Sequence, residues 1–237
     1  MAKKVRRQQA QEAFDHPTAS QTPRERRAPH FQPITERQQD MVDAIAASTV
    51  VFAIGPAGTG KSFVAANVAA SYLLADNRRR VLVTRPAVEA AGEKLGFLPG
   101  ELEEKFDPYV RPVLKILEQR LGKGAVESMV KNGRITFMPL AFMRGETFDD
   151  CFVIADEAQN MTKEQMKMLL TRIGRGSVMV VDGDPMQSDI GSKSGLEDAV
   201  YRLRDVSGVS VVRFGRSDIV RHDIIQEILD AYETPGS

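Results

Sequence analysis

Short apolar runs alternate with longer segments of helical periodicity along most of the chain. The runs are rich in Val, Ile and Phe and predict strands over 50–54, 81–84, 135–138, 152–155, 178–181 and 209–214. Apolar residues at helical spacing predict helices over 36–47, 62–75, 112–121, 163–173, 196–206 and 218–232. Because strands that alternate with helices favour right-handed crossovers, the sequence predicts an α/β fold with a mainly parallel sheet covered by helices on both faces.

Two segments depart from this alternation. Residues 1–30 carry seven basic and three acidic side chains, a net charge of +4 in a chain that is neutral overall. Since few sizeable apolar groups occur there, residues 1–34 are predicted to be a flexible basic tail. The tail is either a contact for a polyanion or only a solubilising leader or a remnant of a longer architecture. The predicted domain is 35–233, and its residues 87–134 predict a helical insertion over one end of the sheet.

The composition narrows the class of protein. Hydrophobic residues make up 42% and charged residues 27% of the chain, which is ordinary for a soluble globular protein. No run of about 20 apolar residues predicts a membrane span, and no secretory start is present, so we expect a cytoplasmic protein without a membrane partner. The single cysteine, Cys151, excludes a disulfide framework and is expected to be a buried structural thiol.

The strongest chemical signal is a glycine-rich loop between the first strand and the helix that follows it. Its pattern is that of a phosphate-binding loop, in which backbone N–H groups and the positive end of the helix dipole surround an anion. Lys61 is predicted to reach the β- and γ-phosphates, and the Ser62 hydroxyl to complete a Mg²⁺ shell. The loop consists of Gly55, Pro56, Ala57, Gly58, Thr59, Gly60, Lys61 and Ser62.

Acidic and amide side chains follow two later strands. Asp156 and Glu157 come directly after the strand 152–155, where adjacent acids are unfavourable without a cation. Asp156 is suited to orient the Mg²⁺ shell, and Glu157 to activate a water for attack on the γ-phosphate, which favours hydrolysis over kinase chemistry. If the strand 178–181 lies between the two motif-bearing strands, Gln187 faces the γ-phosphate and can position water. Gln38, just before the first strand, is a candidate contact for the adenine edge.

Several segments together carry a family resemblance: Gln38, 55–62, 84–86, 92–100, 139–145, 156–159, 183–187 and 220–222. They resemble the first motor domain of superfamily 1 helicases and, more narrowly, the PhoH-like proteins, which are phosphate-starvation-associated ATPases of bacteria and their phages. The resemblance covers about residues 35–233 and implies a RecA-like fold, ATP and Mg²⁺ as ligands, an RNA-linked role and a cytoplasmic location, that of the host for a phage-encoded member. Asp182 departs from the pattern, since many helicases have Thr or Ser there.

Two functions from different classes follow. In the first, the chain couples ATP hydrolysis to binding or remodelling of RNA or another single-stranded nucleic acid, with Thr84 and Arg85 at a strand end as contacts for backbone phosphates. In the second, it is a nucleotide-dependent switch or assembly module that acts on a protein partner, and Arg85 is only a solvated surface charge. The absence of Trp and the presence of only 4 Tyr give little sign of a base-stacking platform.

The resemblance also predicts an oligomer. A superfamily 1 motor completes its ATP site with an arginine from a second RecA-like domain, whereas residues 35–233 hold one such domain. A head-to-tail ring would supply that arginine from a neighbouring subunit, and a hexamer is the expectation that the family suggests. Arg221 is the first candidate for this arginine and Arg216 the second, although an intrahelical ion pair between Arg221 and Asp218 explains the residue equally well.

Overall fold

The computed structural model describes residues 31–86 and 102–220, which contain six strands and six α-helices. The strands are β1 Val50–Ile54, β2 Arg80–Arg85, β3 Ile135–Pro139, β4 Cys151–Ala155, β5 Val178–Gly183 and β6 Val209–Arg213. The helices are α1 Glu36–Ala47, α2 Lys61–Ala75, α3 Leu102–Leu121, α4 Lys123–Lys131, α5 Lys163–Leu170 and α6 Leu196–Leu203.

The strands form one sheet in the order β3-β2-β4-β5-β1-β6, and every neighbouring pair is parallel. β5 therefore lies between β1, which leads into the glycine-rich loop, and β4, which leads into the acidic pair, so the condition stated for Gln187 is met. Because parallel strands end at the same edge of the sheet, the carboxyl ends of β1, β2, β4 and β5 lie along one edge.

Each face of the sheet is covered by its own helices. Alternate residues such as Val51 and Ala53 of β1 pack with α1, α2, α3 and α4, and the intervening Phe52 and Ile54 pack with α5 and α6. The fully buried run Val50–Ile54 shows why the strand lacks polar alternation, since both of its sides face apolar helices. Helices on both faces are thus confirmed.

The predicted strands are all present, with ends that shift by no more than two residues. The predicted helix 112–121 is wrong at its start, because α3 begins at Leu102. Pro112 suggested a first turn, yet it lies inside the helix and is exposed, so water can satisfy the carbonyl that lacks a backbone donor. A second helix, α4, follows after Gly122, whose φ of 88° ends α3.

The start of the packed domain lies earlier than predicted. Phe31, assigned from the sequence to the tail, packs against the core, and its ring centroid is 5.7 Å from that of Phe63. The reason is the apolar ring itself, which gains burial on the helix that follows the glycine-rich loop. The predicted tail residues 1–30, and the predicted helix 218–232 beyond Val220, lie outside the described residues.

None of the helices described for residues 31–86 and 102–220 is both long and apolar enough to cross a membrane. Cys151 is buried, and burial raises the pKa of its thiol to about 11, as expected for a structural cysteine.

Candidate functional site

The glycine-rich loop connects β1 to the first turn of α2 and has the backbone shape of an anion nest. Gly55 has φ +145°, and a Cβ there would collide with the carbonyl of Phe214, so only glycine fits. Gly60, the N-cap of α2, has φ +87° and lets the first amides of the helix face the loop. The Ala57 N–H already binds an anionic group, because it donates to Oδ2 of Asp184 at 3.1 Å.

Lys61 is the loop's cation and is 7% exposed. Its ammonium donates to the carbonyl oxygens of Gly55 at 2.8 Å and Pro56 at 2.9 Å, and it lies 3.9 Å from Oδ1 of Asp182. The lysine is therefore held at the centre of the loop, with its charge next to a buried carboxylate. Three rotatable donors on a flexible stem allow it to exchange these partners for phosphate oxygens.

Three oxygen ligands meet beside Lys61. The Ser62 hydroxyl donates to Oδ2 of Asp182 through a short hydrogen bond and lies 3.3 Å from Oδ1 of Asp156. Burial, and next the charge of Asp156, raises the pKa of Asp182 to about 7. Burial, and next the charge of Glu157, also raises the pKa of Asp156. Burial and the neighbouring acid both disfavour the charged form of each carboxyl, and a bound cation would favour it.

The donor set fits a magnesium ion better than a resident transition metal. Within residues 31–86 and 102–220 no three His, Cys, Asp or Glu side chains are grouped as metal ligands. Instead, one hydroxyl and two carboxylates lie beside the phosphate loop. Hard oxygen ligands that leave room for water and phosphate oxygens are those that Mg²⁺ takes in nucleotide sites.

Glu157 follows Asp156 and has a backbone conformation that is unusual outside glycine, with φ 53° and ψ 39°. Both of its carboxylate oxygens have donors. Oε1 lies 3.4 Å from Nη2 of Arg85, and Oε2 accepts a short hydrogen bond from the side chain of Gln159. Arg85 also places Nη1 at 3.9 Å from Oδ2 of Asp156.

A cavity of about 250 Å³ joins these groups at the carboxyl edge of the sheet. It is lined by the glycine-rich loop, by Asp156 and Glu157, and by Asp182 and Gln187 from the segment at and after the end of β5. The structure thus places Lys61, Ser62, Asp156, Glu157 and Gln187 around one space.

Gln38 and Thr84 do not lie where their predicted contacts with adenine and with backbone phosphates require. Gln38 is 2% exposed, and its amide is engaged within the protein: Oε1 accepts from the Ile34 N–H at 3.0 Å, and Nε2 donates to the Thr59 carbonyl at 3.1 Å. The amide therefore braces the loop and presents no edge to adenine. Thr84 is fully buried, so its hydroxyl does not reach a nucleic-acid backbone, while Arg85 at 26% exposure remains accessible.

The predicted arginine Arg221 lies outside the described residues. The chain just before it returns to the glycine-rich loop, because the Val220 N–H donates to the Gly58 carbonyl at 2.9 Å. Arg216 lies in a short 3₁₀ turn, Arg216–Asp218, and is exposed.

Sequence reasoning missed three members of the site: Asp182, Asp184 and Gln159. Gln159 is 1% exposed and links the acidic pair to the loop, because its Oε1 accepts from the Asp184 N–H at 3.1 Å and the Asp184 carboxylate accepts from Ala57. A carboxylate at the end of the apolar strand 178–181 was the one available signal for Asp182. The others depend on contacts between loops that only the strand order brings together.

A parallel sheet with a glycine-rich loop between β1 and α2, and an acidic pair after a strand two positions away, defines a RecA-like P-loop NTPase fold. The profile of the PhoH-like protein family matches residues 30–233. The chain belongs to the PhoH-like family.

Individual relatives agree with that assignment. A PhoH-like protein of Mycobacterium bovis is 48% identical over 217 residues, which are 90% of this chain and 61% of the relative. Protein PhoH of Escherichia coli is 44% identical over 201 residues, covering 83% of this chain and 56% of that protein. The chain thus spans less than two thirds of the length of these relatives. Among solved structures, the large terminase of a thermophilic bacteriophage matches with a TM-score of 0.49 and 10% sequence identity. The match covers 85% of this chain and 51% of the terminase chain.

Proposed function

We propose that the protein hydrolyses ATP with Mg²⁺ and couples hydrolysis to binding or remodelling of RNA or another single-stranded nucleic acid. The observation that carries the proposal is the meeting of Lys61, Ser62, Asp156 and Glu157 around one cavity at the carboxyl edge of the sheet. Loop amides and Lys61 bind the phosphates, and Ser62 and Asp156 hold the metal shell. Membership of the PhoH-like family supports this use of the fold.

The chain's own residues divide the work of the reaction. A water attacks the γ-phosphorus while Glu157 accepts its proton, and the bond from that phosphorus to the bridging oxygen of ADP breaks. Lys61 and the loop amides stabilise the charge on the phosphate oxygens, and Gln187 orients the water. Ser62 and Asp156 would hold Mg²⁺, which would supply further neutralisation of the phosphate charge.

Nucleic acid is the proposed partner because Arg85 lies at the end of β2, on the same sheet edge as the cavity, and remains partly exposed. A guanidinium binds phosphodiester oxygens in two parallel hydrogen bonds. We further propose that the subunits form a ring in the cytoplasm, a hexamer by family likeness, in which a neighbour's arginine completes the ATP site.

The test is ATPase activity with Mg²⁺, measured alone and with poly(U) or single-stranded DNA. The expected result is basal hydrolysis that rises when either polymer is added. The Lys61→Ala variant, purified in parallel, reports any contaminating activity. Hydrolysis that no polymer changes would favour the alternative function, a nucleotide-dependent switch that acts on a protein partner.

A further inference from the structure

The carboxylate assigned as the base is held by other side chains. Arg85 and Gln159 each engage one oxygen of Glu157, so these two residues set the direction of its carboxylate. The left-handed backbone of Glu157 is a conformation that a non-glycine residue keeps only where its surroundings impose it. A base held in this way is not free to follow the position of an attacking water.

Arg85 is the residue that can release this hold. β2 and β4 are paired in parallel with Thr84 opposite Ala155, which brings the residue after each of these into contact. Gln159, by contrast, is buried and is also bonded to the Asp184 N–H, so it is fixed on both sides. About a quarter of the Arg85 side chain is exposed. Its guanidinium lies 3.4 Å from Glu157 and 3.9 Å from Asp156, and both distances are longer than those in a tight bidentate pair.

We propose that Arg85 is a positioning residue that restrains Glu157 until a nucleic-acid phosphate takes over its guanidinium. A phosphodiester offers two acceptor oxygens in the geometry that a guanidinium prefers, so it competes directly with the acidic pair. When Arg85 turns to the phosphate, Glu157 loses one of its two anchors and becomes able to face the water. Nucleic acid would then stimulate hydrolysis by removing a restraint. This inference rests on the proposed function, whose partner and reaction it uses.

The experiment compares ATP hydrolysis by the wild-type protein with that by Arg85→Gln, each with and without poly(U). The variant is expected to raise basal kcat about fivefold, the factor that corresponds to losing one partly exposed ion pair, and to respond little to poly(U). KM for ATP should stay unchanged, since the glycine-rich loop is untouched. The Arg85→Lys variant keeps the charge but lacks the planar guanidinium. Its basal kcat and its response to poly(U) should lie between those of the wild-type protein and Arg85→Gln.

Two further variants separate this role from a general effect of charge. Arg80→Gln removes a cation from the opposite end of the same strand, where the side chain bonds the Asp149 carbonyl, and should leave basal and stimulated rates unchanged. Adding Glu157→Gln to Arg85→Gln should abolish the gain, because the released base is then absent. Thermal unfolding of each variant checks that the fold is retained.

The outcomes are distinct. A fall in basal kcat in both Arg85 variants, with ATP binding retained, would show that the arginine supports hydrolysis and would overturn the restraint. A low basal rate with full stimulation in Arg85→Gln would also overturn it and leave the proposed function intact. A wild-type enzyme that hydrolyses ATP but ignores poly(U) and single-stranded DNA would instead reject the nucleic-acid partner itself.

Discussion

Glu157 is the residue on which the proposed chemistry depends. Glu157→Gln keeps the size of the side chain and one acceptor oxygen but cannot accept the proton of water. The expected result is a kcat lower by at least about 100-fold, with ATP affinity retained, because positioned general bases contribute factors of about 10² to 10⁴. The measurement is steady-state ATPase activity beside nucleotide binding by calorimetry.

Lys61→Ala is the matched control for that experiment. Its ammonium lies inside the loop, against the carbonyls of Gly55 and Pro56, so its loss should weaken nucleotide binding itself. Equal turnover in Glu157→Gln and the wild-type protein would remove Glu157 from the mechanism.

Asp182 predicts a dependence of stability on pH. Its carboxyl has a pKa of about 7 in the folded protein, above its ordinary value of 3.8, because it is buried and lies near Asp156. The folded state therefore binds this proton more tightly than the unfolded chain does. The resulting stabilisation is complete below the ordinary pKa and is lost as the pH rises towards and through about 7. The free energy of unfolding should fall over that range in nucleotide-free and metal-free buffer.

Asp182→Asn is the variant that tests this assignment, since its amide oxygen can still accept the Ser62 hydroxyl. Its unfolding midpoint should depend less on pH between about 5 and 8 than that of the wild-type protein. Asp205→Asn, at an exposed acid paired with Arg204, should leave the wild-type slope as it is. An unchanged slope in Asp182→Asn would mean that other groups carry the pH dependence.

At the scale of elements, β5 connects the core to the site. Gly183 ends the strand, and a Cβ there would lie 2.7 Å from Cδ2 of Leu196 and 2.9 Å from Oε1 of Gln159. Gly183→Ala should therefore lower the free energy of unfolding by about 1–3 kcal/mol, the usual cost of overpacking. Because Gln159 also links the acidic pair to Asp184 and, through it, to the glycine-rich loop, ATPase activity should fall as well. Urea unfolding and steady-state rates measure both effects.

Gly124→Ala is the comparison for this variant. Gly124 lies on the exposed side of α4, and a Cβ there would meet no atom within 4 Å. The substitution should stabilise the protein by about 0.5–1 kcal/mol, because alanine is the better helix former. Equal loss of stability in both variants would show that the contacts of Gly183 are not its cause.

The elements also show which parts of the structure the sequence determines. Each strand core was predictable, because a strand buried on both faces is a short apolar run bounded by polar residues. The start of α3 was not, since Pro112 carries a local signal for a first turn that the helix overrides. The phosphate loop and the acidic pair are local motifs, so their positions after β1 and β4 could be predicted.

Contacts between motifs could not be predicted from the sequence. The sequence analysis made Gln38 a candidate contact for adenine, but a lone glutamine before a strand carries no information about its partners. In the fold, its amide lies next to the Thr59 carbonyl. The pairing of Ser62 with Asp182 likewise depends on β5 lying beside β1. Such assignments follow from sheet order, which the sequence predicts only in outline.

At the scale of the whole molecule, the proposed ring predicts which subunit completes the proposed ATP site. The Val220 N–H binds the Gly58 carbonyl of its own chain, so Arg221 follows directly after a residue on the glycine-rich loop. Arg221 can therefore complete the proposed ATP site of its own subunit or, in a ring, that of the adjoining subunit. The proposed ring requires the second arrangement, in which each site receives its arginine from the neighbouring subunit.

Mixing two inactive variants distinguishes these arrangements. In a ring, a subunit with Arg221→Ala keeps its Lys61 and can receive Arg221 from a neighbour with Lys61→Ala, so some sites in the mixture are complete and ATPase activity should exceed that of either variant alone. If Arg221 serves its own subunit, no site in the mixture has both groups and activity stays at the sum of the parts. Light scattering at the assay concentration provides the second measurement. A fully active wild-type monomer would exclude the ring, because an isolated subunit has no neighbour to supply the arginine.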